Sequence, residues 1–268
     1  AAVIEGKEAE GQKFQDYFQS VYKERWPQIF AALQVEVQHV QRPNSFYQAG
    51  SDQLEFYKMD PASILVARAL EVGQNEKVLD LCAAPGGKSL ILAEALNSTG
   101  ELISNEFSNS RRERLMRVFK EYIPMDQRGN VFVKGQDGNQ FGLRMPDEFD
   151  RVLADVPCSG ERHLLENKSE FEKWTVRRSQ NLAVRQFSLL SSAWLSCKEG
   201  GRIVYSTCSI SPIENDEIIQ KIVKRRSVQI LRPAFLDSES CLEKTEFGYQ
   251  VLPDRSGFGP MYFSVLQK

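Results

Sequence analysis

Apolar residues recur at three- and four-residue intervals from about Gly11 to Leu33: Phe14, Phe18 and Tyr22, then Trp26, Ile29, Phe30 and Leu33. That period places them on one face of a helix. The chain is therefore expected to open with a helical extension over residues 1–58, followed by one domain over residues 59–268. After a loop around Arg42-Pro43-Asn44, Asp60 followed by Pro61 reads as an N-cap with proline at the first position of the helix ASILVARALEV. From there the pattern changes to short buried apolar runs alternating with amphipathic stretches. Strands are predicted from Lys77 to Leu81, Glu101 to Asn105, Asn130 to Lys134, Asp150 to Asp155 and through the RIVYSTC run that begins at Arg202. Helices are predicted from Lys88 to Asn97, across the stripe of Leu115, Val118, Phe119, Tyr122 and Ile123, and from about Gln180 to Cys197. A further helix follows Ser211-Pro212-Ile213-Glu214, which has the form of a capping box. GYQVLP and MYFSVLQ, joined by DRSGFGP, predict a C-terminal antiparallel hairpin. Repeated strand–helix units imply an α/β fold with a doubly wound, mainly parallel sheet, which binds ligands at the carboxyl ends of its strands.

The first of those ends is VLDLCAAPGGKSL, Val78 to Leu90. Gly87-Lys88-Ser89 satisfies the second half of a phosphate-binding loop, but Cys82 occupies the position of the first glycine, which the tight wrap around phosphates requires. A dinucleotide-binding glycine pattern is not supplied. The third reading is S-adenosylmethionine, which has no phosphate and needs small residues for close approach with an acid for its ribose. Ala83, Ala84, Gly86 and Gly87 meet the first need. Glu106, 26 residues after Asp80, stands where a ribose-binding carboxylate sits in this architecture.

Two of the five cysteines also fall at strand ends, Cys158 in Asp155-Val156-Pro157-Cys158 and Cys208 in Ser206-Thr207-Cys208. Cysteine is often only a small buried apolar residue. In a loop before a helix start, however, a thiol becomes the better nucleophile. Carbon 5 of a pyrimidine accepts a methyl group only after activation, and thiolate attack at carbon 6, with an acid near ring nitrogen 3, provides it.

Taken in order, LDLCAAPGGKS, NEFSNSR, GQDG, DRVLADVPCSG and GGRIVYSTCSISPIEND resemble the Nop/Sun family of RNA cytosine-C5 methyltransferases over roughly residues 60–268. YFQSVYKERWPQIFAAL, the ERH after the Pro-Cys and the terminal FGPMYF are most similar to the compact subgroup that includes mitochondrial rRNA and tRNA enzymes. The resemblance implies S-adenosylmethionine as cofactor, rRNA or tRNA as substrate and Cys208 as the nucleophile. Cys158 would assist release of the methylated product; motif chemistry alone does not choose between the two thiols. Asp155 would contact the cytosine edge and the methionine part of the cofactor, and Lys88 would organise the active-site edge. Cys82, Ala83, Ala84, Pro85, Gly86, Gly87 and Lys88 would floor the cofactor. Glu106, where relatives often carry Asp, would hold the ribose, with Arg111 matching a family arginine. Asp137 and Gly138 would hold the adenine end; by themselves they read as a turn.

Composition adjusts this picture in three places. With 268 residues and 41% hydrophobic content, one main core is expected. No apolar run approaches the roughly 18 residues of a membrane span. A soluble, intracellular and cytoplasmic protein is expected, or a mitochondrial one if a targeting segment has been removed. An odd number of cysteines without zinc spacing predicts free thiols in a reducing compartment and no metal. Finally, 34 basic against 36 acidic residues give no global attraction for nucleic acid, so RNA must be met by local patches. Arg177, Arg178 and Arg185, the run Lys224-Arg225-Arg226, and the Arg111 to Arg117 face are candidates. RNA affinity is otherwise expected from the N-terminal helices, the loops or a protein partner, around a chain that is monomeric apart from that partner. Two other functions compete: an RNA-binding ribosome-assembly factor on the same fold, opposed by the paired cysteines and cofactor acids, and a P-loop-like hydrolase, opposed by Cys82.

Overall fold

The helical period at the start of the chain is realised in α1 (Ala2–Tyr22) and α2 (Trp26–Leu33), separated by a 3₁₀ turn at Lys23–Arg25. The computed structural model describes residues 2–268. Phe14, Phe18, Trp26, Ile29 and Leu33 are buried against Leu164, Trp174, Ile210 and Leu252 from later in the chain. The extension thus shares a small core with the loops that follow the central strands. Beyond Leu33 the helical expectation is corrected: β1 (Val40–Pro43) and β2 (Phe56–Met59) pair as an antiparallel ladder. VQRP and FYKM are short and mostly exposed, so neither carries the apolar alternation that marks a half-buried strand. Asp60 then caps α3 (Pro61–Ala69), its Oδ1 accepting from the Ala62 amide at 2.8 Å.

The α/β unit runs β3 (Lys77–Asp80), α4 (Gly87–Leu96), β4 (Glu101–Asn105), α5 (Asn109–Tyr122), β5 (Val131–Lys134), α6 (Phe141–Arg144), β6 (Phe149–Asp155), α7 (Glu161–Glu166), α8 (Lys168–Glu172), α9 (Val176–Ser196), β7 (Cys197–Thr207) and α10 (Asp216–Arg225). It ends with β8 (Gln229–Leu231), β9 (Glu243–Lys244), β10 (Tyr249–Val251), α11 (Pro253–Ser256) and β11 (Met261–Gln267). The strand order is β5-β4-β3-β6-β7-β11-β10-β9, with β8 also on β11. The strands from β5 to β7 are parallel, whereas β11 and β10 are antiparallel as the C-terminal hairpin predicts. Successive residues Val78/Leu79, Leu102/Ile103, Val152/Leu153 and Ile203/Val204 divide between two buried clusters, one on each face of the sheet. That is the two-residue period of strands covered on both sides. Winding reverses between β3 and β6, which opens a crevice at their carboxyl ends. Among the described residues no helix is long and apolar enough to cross a membrane.

The capping box at Ser211 does not form. Ser211 makes no side-chain cap, Pro212–Glu214 form one 3₁₀ turn, and α10 starts only at Asp216. Glu214 is fully buried, its carboxylate taken by donors from α9 and the loop after β6 rather than by the Ser211 amide.

Candidate active site

The loop after β3 is shaped by close packing. Gly86 takes φ 120°, a conformation that favours glycine, and a Cβ there would lie 3.1 Å from Leu115. A Cβ on Gly87 would lie 2.6 Å from the Tyr57 ring, so β2 closes over the loop. Lys88, first turn of α4, reaches across the sheet edge: its Nζ donates to Asp155 Oδ2 at 2.8 Å. Asp155 ends β6, and its Oδ1 accepts from Ser206 Oγ of β7, also at 2.8 Å. Burial alone would depress the Lys88 pKa, but the Asp155 carboxylate, helped by Asp80, outweighs it and the net shift is upward. The lysine is committed to Asp155, which removes the remaining support for a phosphate cradle.

A cavity of about 130 Å³ passes the ends of β3, β4 and β5 and brings together Cys82, Glu106, Arg111, Asp137 and Gly138. The Glu106 carboxylate is buried; Oε2 accepts from the Ser108 amide at 3.1 Å, and Oε1 lies 3.8 Å from Arg111, beyond hydrogen-bond reach. It keeps lone pairs for a diol. Arg111 donates to the Ala84 carbonyl at 3.2 Å and so ties α5 to the loop. Asp137 caps its own turn through the Asn139 amide at 3.0 Å. A Cβ on Gly138 would come within 2.9 Å of a Leu189 methyl, so any side chain there would have to displace it. Asp80 accepts from Ser89 Oγ at 2.6 Å through Oδ2, while its buried Oδ1 has no partner among the described residues. Burial pushes Asp80 up to about 7 and raises the Cys82 thiol as well. An apolar slot between Leu81 and Leu189, an acid with free lone pairs and an orphaned buried carboxylate oxygen fit a nucleoside that carries an amino-acid tail. They fit S-adenosylmethionine.

The two strand-end cysteines meet. Asp155 of β6 is in register with Ser206 of β7, and the loops beyond carry Cys158 and Cys208 to a Cα separation of 6.3 Å, their sulfurs in disulfide contact across 50 residues. The expectation of free thiols throughout is therefore corrected: Cys82, Cys197 and Cys241 are free, whereas adjacent parallel strands deliver Cys158 and Cys208 to one point. The Cys208 amide donates to Cys158 Sγ at 3.3 Å. Both sulfurs border a cavity of about 640 Å³ shared with Lys88, Asp155, Arg111 and Arg178.

Residues that the sequence did not connect with the site hold this pair. Tyr22 of α1 donates to the Ile210 carbonyl at 2.5 Å, two residues beyond Cys208. Glu161 and Glu214, both fully buried, bind the residues next to the cysteines. The partners by which each reaches the other cysteine's loop lie 48 to 55 residues away, which no local spacing signals.

Of the basic patches, two reach the site: Arg111 of the Arg111–Arg117 face lines both cavities. Arg177, Arg178 and Arg185 line a groove of about 530 Å³ that begins at Cys158. Arg225 and Arg226 instead lie over the rings of Phe187 and Trp194, and Arg112 bonds the Glu106 carbonyl, so these cations serve packing. Trp174 is in the core beneath α1.

A protein-family model described as 16S rRNA methyltransferase RsmB/F matches residues 67–267. The chain is 38% identical over 226 residues to the 5-cytosine rRNA methyltransferase NSUN4 of Bos taurus, covering 78% of this chain and 59% of that one. It is 36% identical over 225 residues to the mitochondrial tRNA (cytosine(34)-C(5))-methyltransferase of Danio rerio, covering 80% and 61% respectively. Among solved structures, a methyltransferase homologue protein from Pyrococcus horikoshii has the same fold, with a TM-score of 0.76 at 19% identity over 95% of this chain and 94% of that one. The chain spans about three-fifths of the length of the curated relatives it matches.

Proposed function

Because the chain belongs to the RsmB/F methyltransferase family, we propose that it is an S-adenosylmethionine-dependent RNA cytosine-C5 methyltransferase with Cys208 as its nucleophile. The observation that carries this reading is the convergence of Cys208, Cys158, Asp155 and Lys88 where β6 and β7 end, beside the cavity that Glu106 borders.

The Cys208 thiolate bonds to carbon 6 of the base, and electron density moves to carbon 5. Asp155, held on both oxygens by Lys88 and Ser206, accepts a hydrogen bond from protonated nitrogen 3 and so favours the charge pattern of the adduct. S-adenosylmethionine, when bound against Glu106, Asp137 and Gly138, supplies the methyl group that carbon 5 takes. The carbon 5 proton passes to water, its bonding electrons re-form the double bond and expel Cys208 from carbon 6 as the thiolate, and nitrogen 3 gives its proton back to water; Cys158 assists this release from the adjacent loop. The disulfide form cannot attack. Its two-electron reduction by a dithiol frees both sulfurs and precedes catalysis.

The base must leave its stack to reach Cys208. The arginine groove beginning at Cys158 supports a path for the flanking phosphates. The names of the relatives favour rRNA or tRNA as the substrate class, and one favours a mitochondrial site of action. Because the chain is slightly acidic overall, with a formal net charge of -2, we include a protein partner that adds RNA affinity to an otherwise monomeric enzyme.

The test is transfer from labelled S-adenosylmethionine to cellular RNA under reducing conditions. Label recovered as 5-methylcytosine with wild type, and none with Cys208→Ala, is expected. Label on another base, or undiminished transfer by Cys208→Ala, would sink the assignment.

A further inference from the structure

Two buried glutamates hold the cysteine loops together, and the methyl-transfer chemistry does not use them. Glu161 opens α7, three residues after Cys158, and Glu214 lies six residues after Cys208. Each carboxylate rises from one cysteine's loop and binds the other's. Glu161 accepts from Ser209 Oγ at 2.8 Å and from the Ile210 amide at 3.0 Å, immediately beyond Cys208. Glu214 accepts from the Ser159 amide at 2.9 Å, immediately beyond Cys158, and from Gln186 and Ser179 of α9, each at 2.9 Å. Among the described residues every partner is a hydroxyl, a side-chain amide or a backbone N–H, and none is a cation.

The centre has fewer protons than hydrogen-bonded sides. Glu161 Oε1, Ser159 Oγ, Glu214 Oε2 and Ser209 Oγ form a ring with sides of 2.5, 2.7, 2.9 and 2.8 Å. Each side needs one proton, and each serine hydroxyl carries one. With both carboxylates ionised, two sides would set lone pairs against lone pairs in a site closed to water, which is strongly unfavourable. One proton on the carboxyl pair leaves three of the four sides bonded.

We propose that Glu161 and Glu214 share one proton and act as positioning residues, a cross-clasp that fixes Cys208 against Cys158 for attack and release. Burial, reinforced by the Glu214 charge, pushes Glu161 up to about 7 against the opposing bonds from Ser159, Ser209 and Ile210. The other titratable or charged groups facing the clasp are Tyr17 and Tyr22 of α1, Tyr205 of β7 and Arg178 of α9. Tyr22, Tyr205 and Arg178 donate to the carbonyls of Ile210, Glu214 and Ser159, and Tyr17 lies 3.4 Å from Ser211 Oγ, so none supplies a proton to the ring. As pH rises past about 7, where Glu161 titrates, the shared proton leaves, a second ring side loses its bond, and the two loops separate.

The positioning role rests on the proposed methyl transfer; the shared proton does not. Infrared spectra of protein labelled with ¹³C at the glutamate carboxyls should contain a protonated-carboxyl stretch on the acid side of neutrality. The band should fade as pH rises and be missing from Glu161→Gln/Glu214→Gln. A wild type without it overturns the shared proton. In single-turnover methyl transfer, Glu161→Ala should be slower by about 10-fold or more, a misplacement effect, with cofactor affinity by calorimetry held within about two-fold. Glu161→Gln, whose amide is a fixed donor, should recover most of the rate and erase the inflection near neutrality from the pH–rate profile. Should Glu161→Ala destabilise the fold, the glutamine profile and the infrared band still decide. Wild-type rate in a folded alanine variant, or an unchanged inflection in the glutamine variant, overturns the positioning role. A wild type that has the band yet methylates no cytosine refutes the activity, and with it that role, while the shared proton stands.

Discussion

Lys88 and Asp155 should act on the substrate as one unit. Asp155 presents a single fixed carboxylate because Lys88 Nζ and Ser206 Oγ each hold one of its oxygens at 2.8 Å. Lys88→Met removes a charge-assisted bond of about 1.5–3 kcal/mol. If that orientation is needed in the transition state, the rate falls by roughly 10- to 150-fold. Asp155→Asn keeps the shape but removes the anion that favours protonated nitrogen 3, and sets an amide against the Lys88 ammonium. A loss of about 10²- to 10⁴-fold is expected, in the range of general acid–base groups. The double variant discriminates. If Lys88 acts only through Asp155, then Lys88→Met/Asp155→Asn is no slower than Asp155→Asn alone, whereas independent roles would multiply the losses. The assay is single-turnover methylation at saturating S-adenosylmethionine, with cofactor affinity measured separately. Multiplicative losses would refute the clamp, as would an Lys88→Met rate equal to wild type.

Gly138→Val, whose Cβ would begin 2.9 Å from Leu189, should weaken cofactor binding by about 10-fold or more through overpacking; calorimetry with unchanged affinity would contradict the adenine placement. Protein oxidised at Cys158 and Cys208 should transfer no methyl group until a dithiol is added, and activity without reduction would argue against a thiolate nucleophile. Glu161 and Asp80 are acids whose folded pKa, each about 7, lies above the ordinary carboxylate range. The folded chain keeps protons that the unfolded chain has released, so their contribution is full below that range. It is lost as pH rises toward about 7, at up to about 1.4 kcal/mol per pH unit for each group. Glu161→Gln should flatten its share of that slope in urea unfolding, and an identical slope in variant and wild type would contradict it.

The parts of the molecule that could be read from the chain are those where local pattern and burial agree. Val78/Leu79 and Ile203/Val204 are apolar in succession because helices cover both faces of the sheet, and the resulting strands place Cys82, Glu106, Asp137, Asp155 and Cys208 on one edge. What could not be read depends on partners distant in sequence. β1 and β2 are edge strands with little burial, and Tyr57, which closes over Gly87, sits in a segment without strand period. Glu214 stands three residues after a serine and looks like the far end of a capping box. Only the folded chain brings Ser159, Ser179 and Gln186 to its carboxylate, and they outcompete the local amide. That Cys158 and Cys208 stand on adjacent strand ends is legible in the chain, whereas the meeting of their sulfurs depends on the loops beyond β6 and β7.

In the proposed reaction Cys208 attacks and Cys158 releases. The most direct measurement is the covalent state of each cysteine after reaction of reduced Cys158→Ala with S-adenosylmethionine and substrate RNA, read by denaturing gel and by mass spectrometry of the crosslinked peptide. An RNA adduct should accumulate and map to Cys208, carrying a methylated cytosine. An adduct formed instead by Cys208→Ala and mapping to Cys158, or full turnover by Cys208→Ala with no adduct in either variant, would contradict these roles.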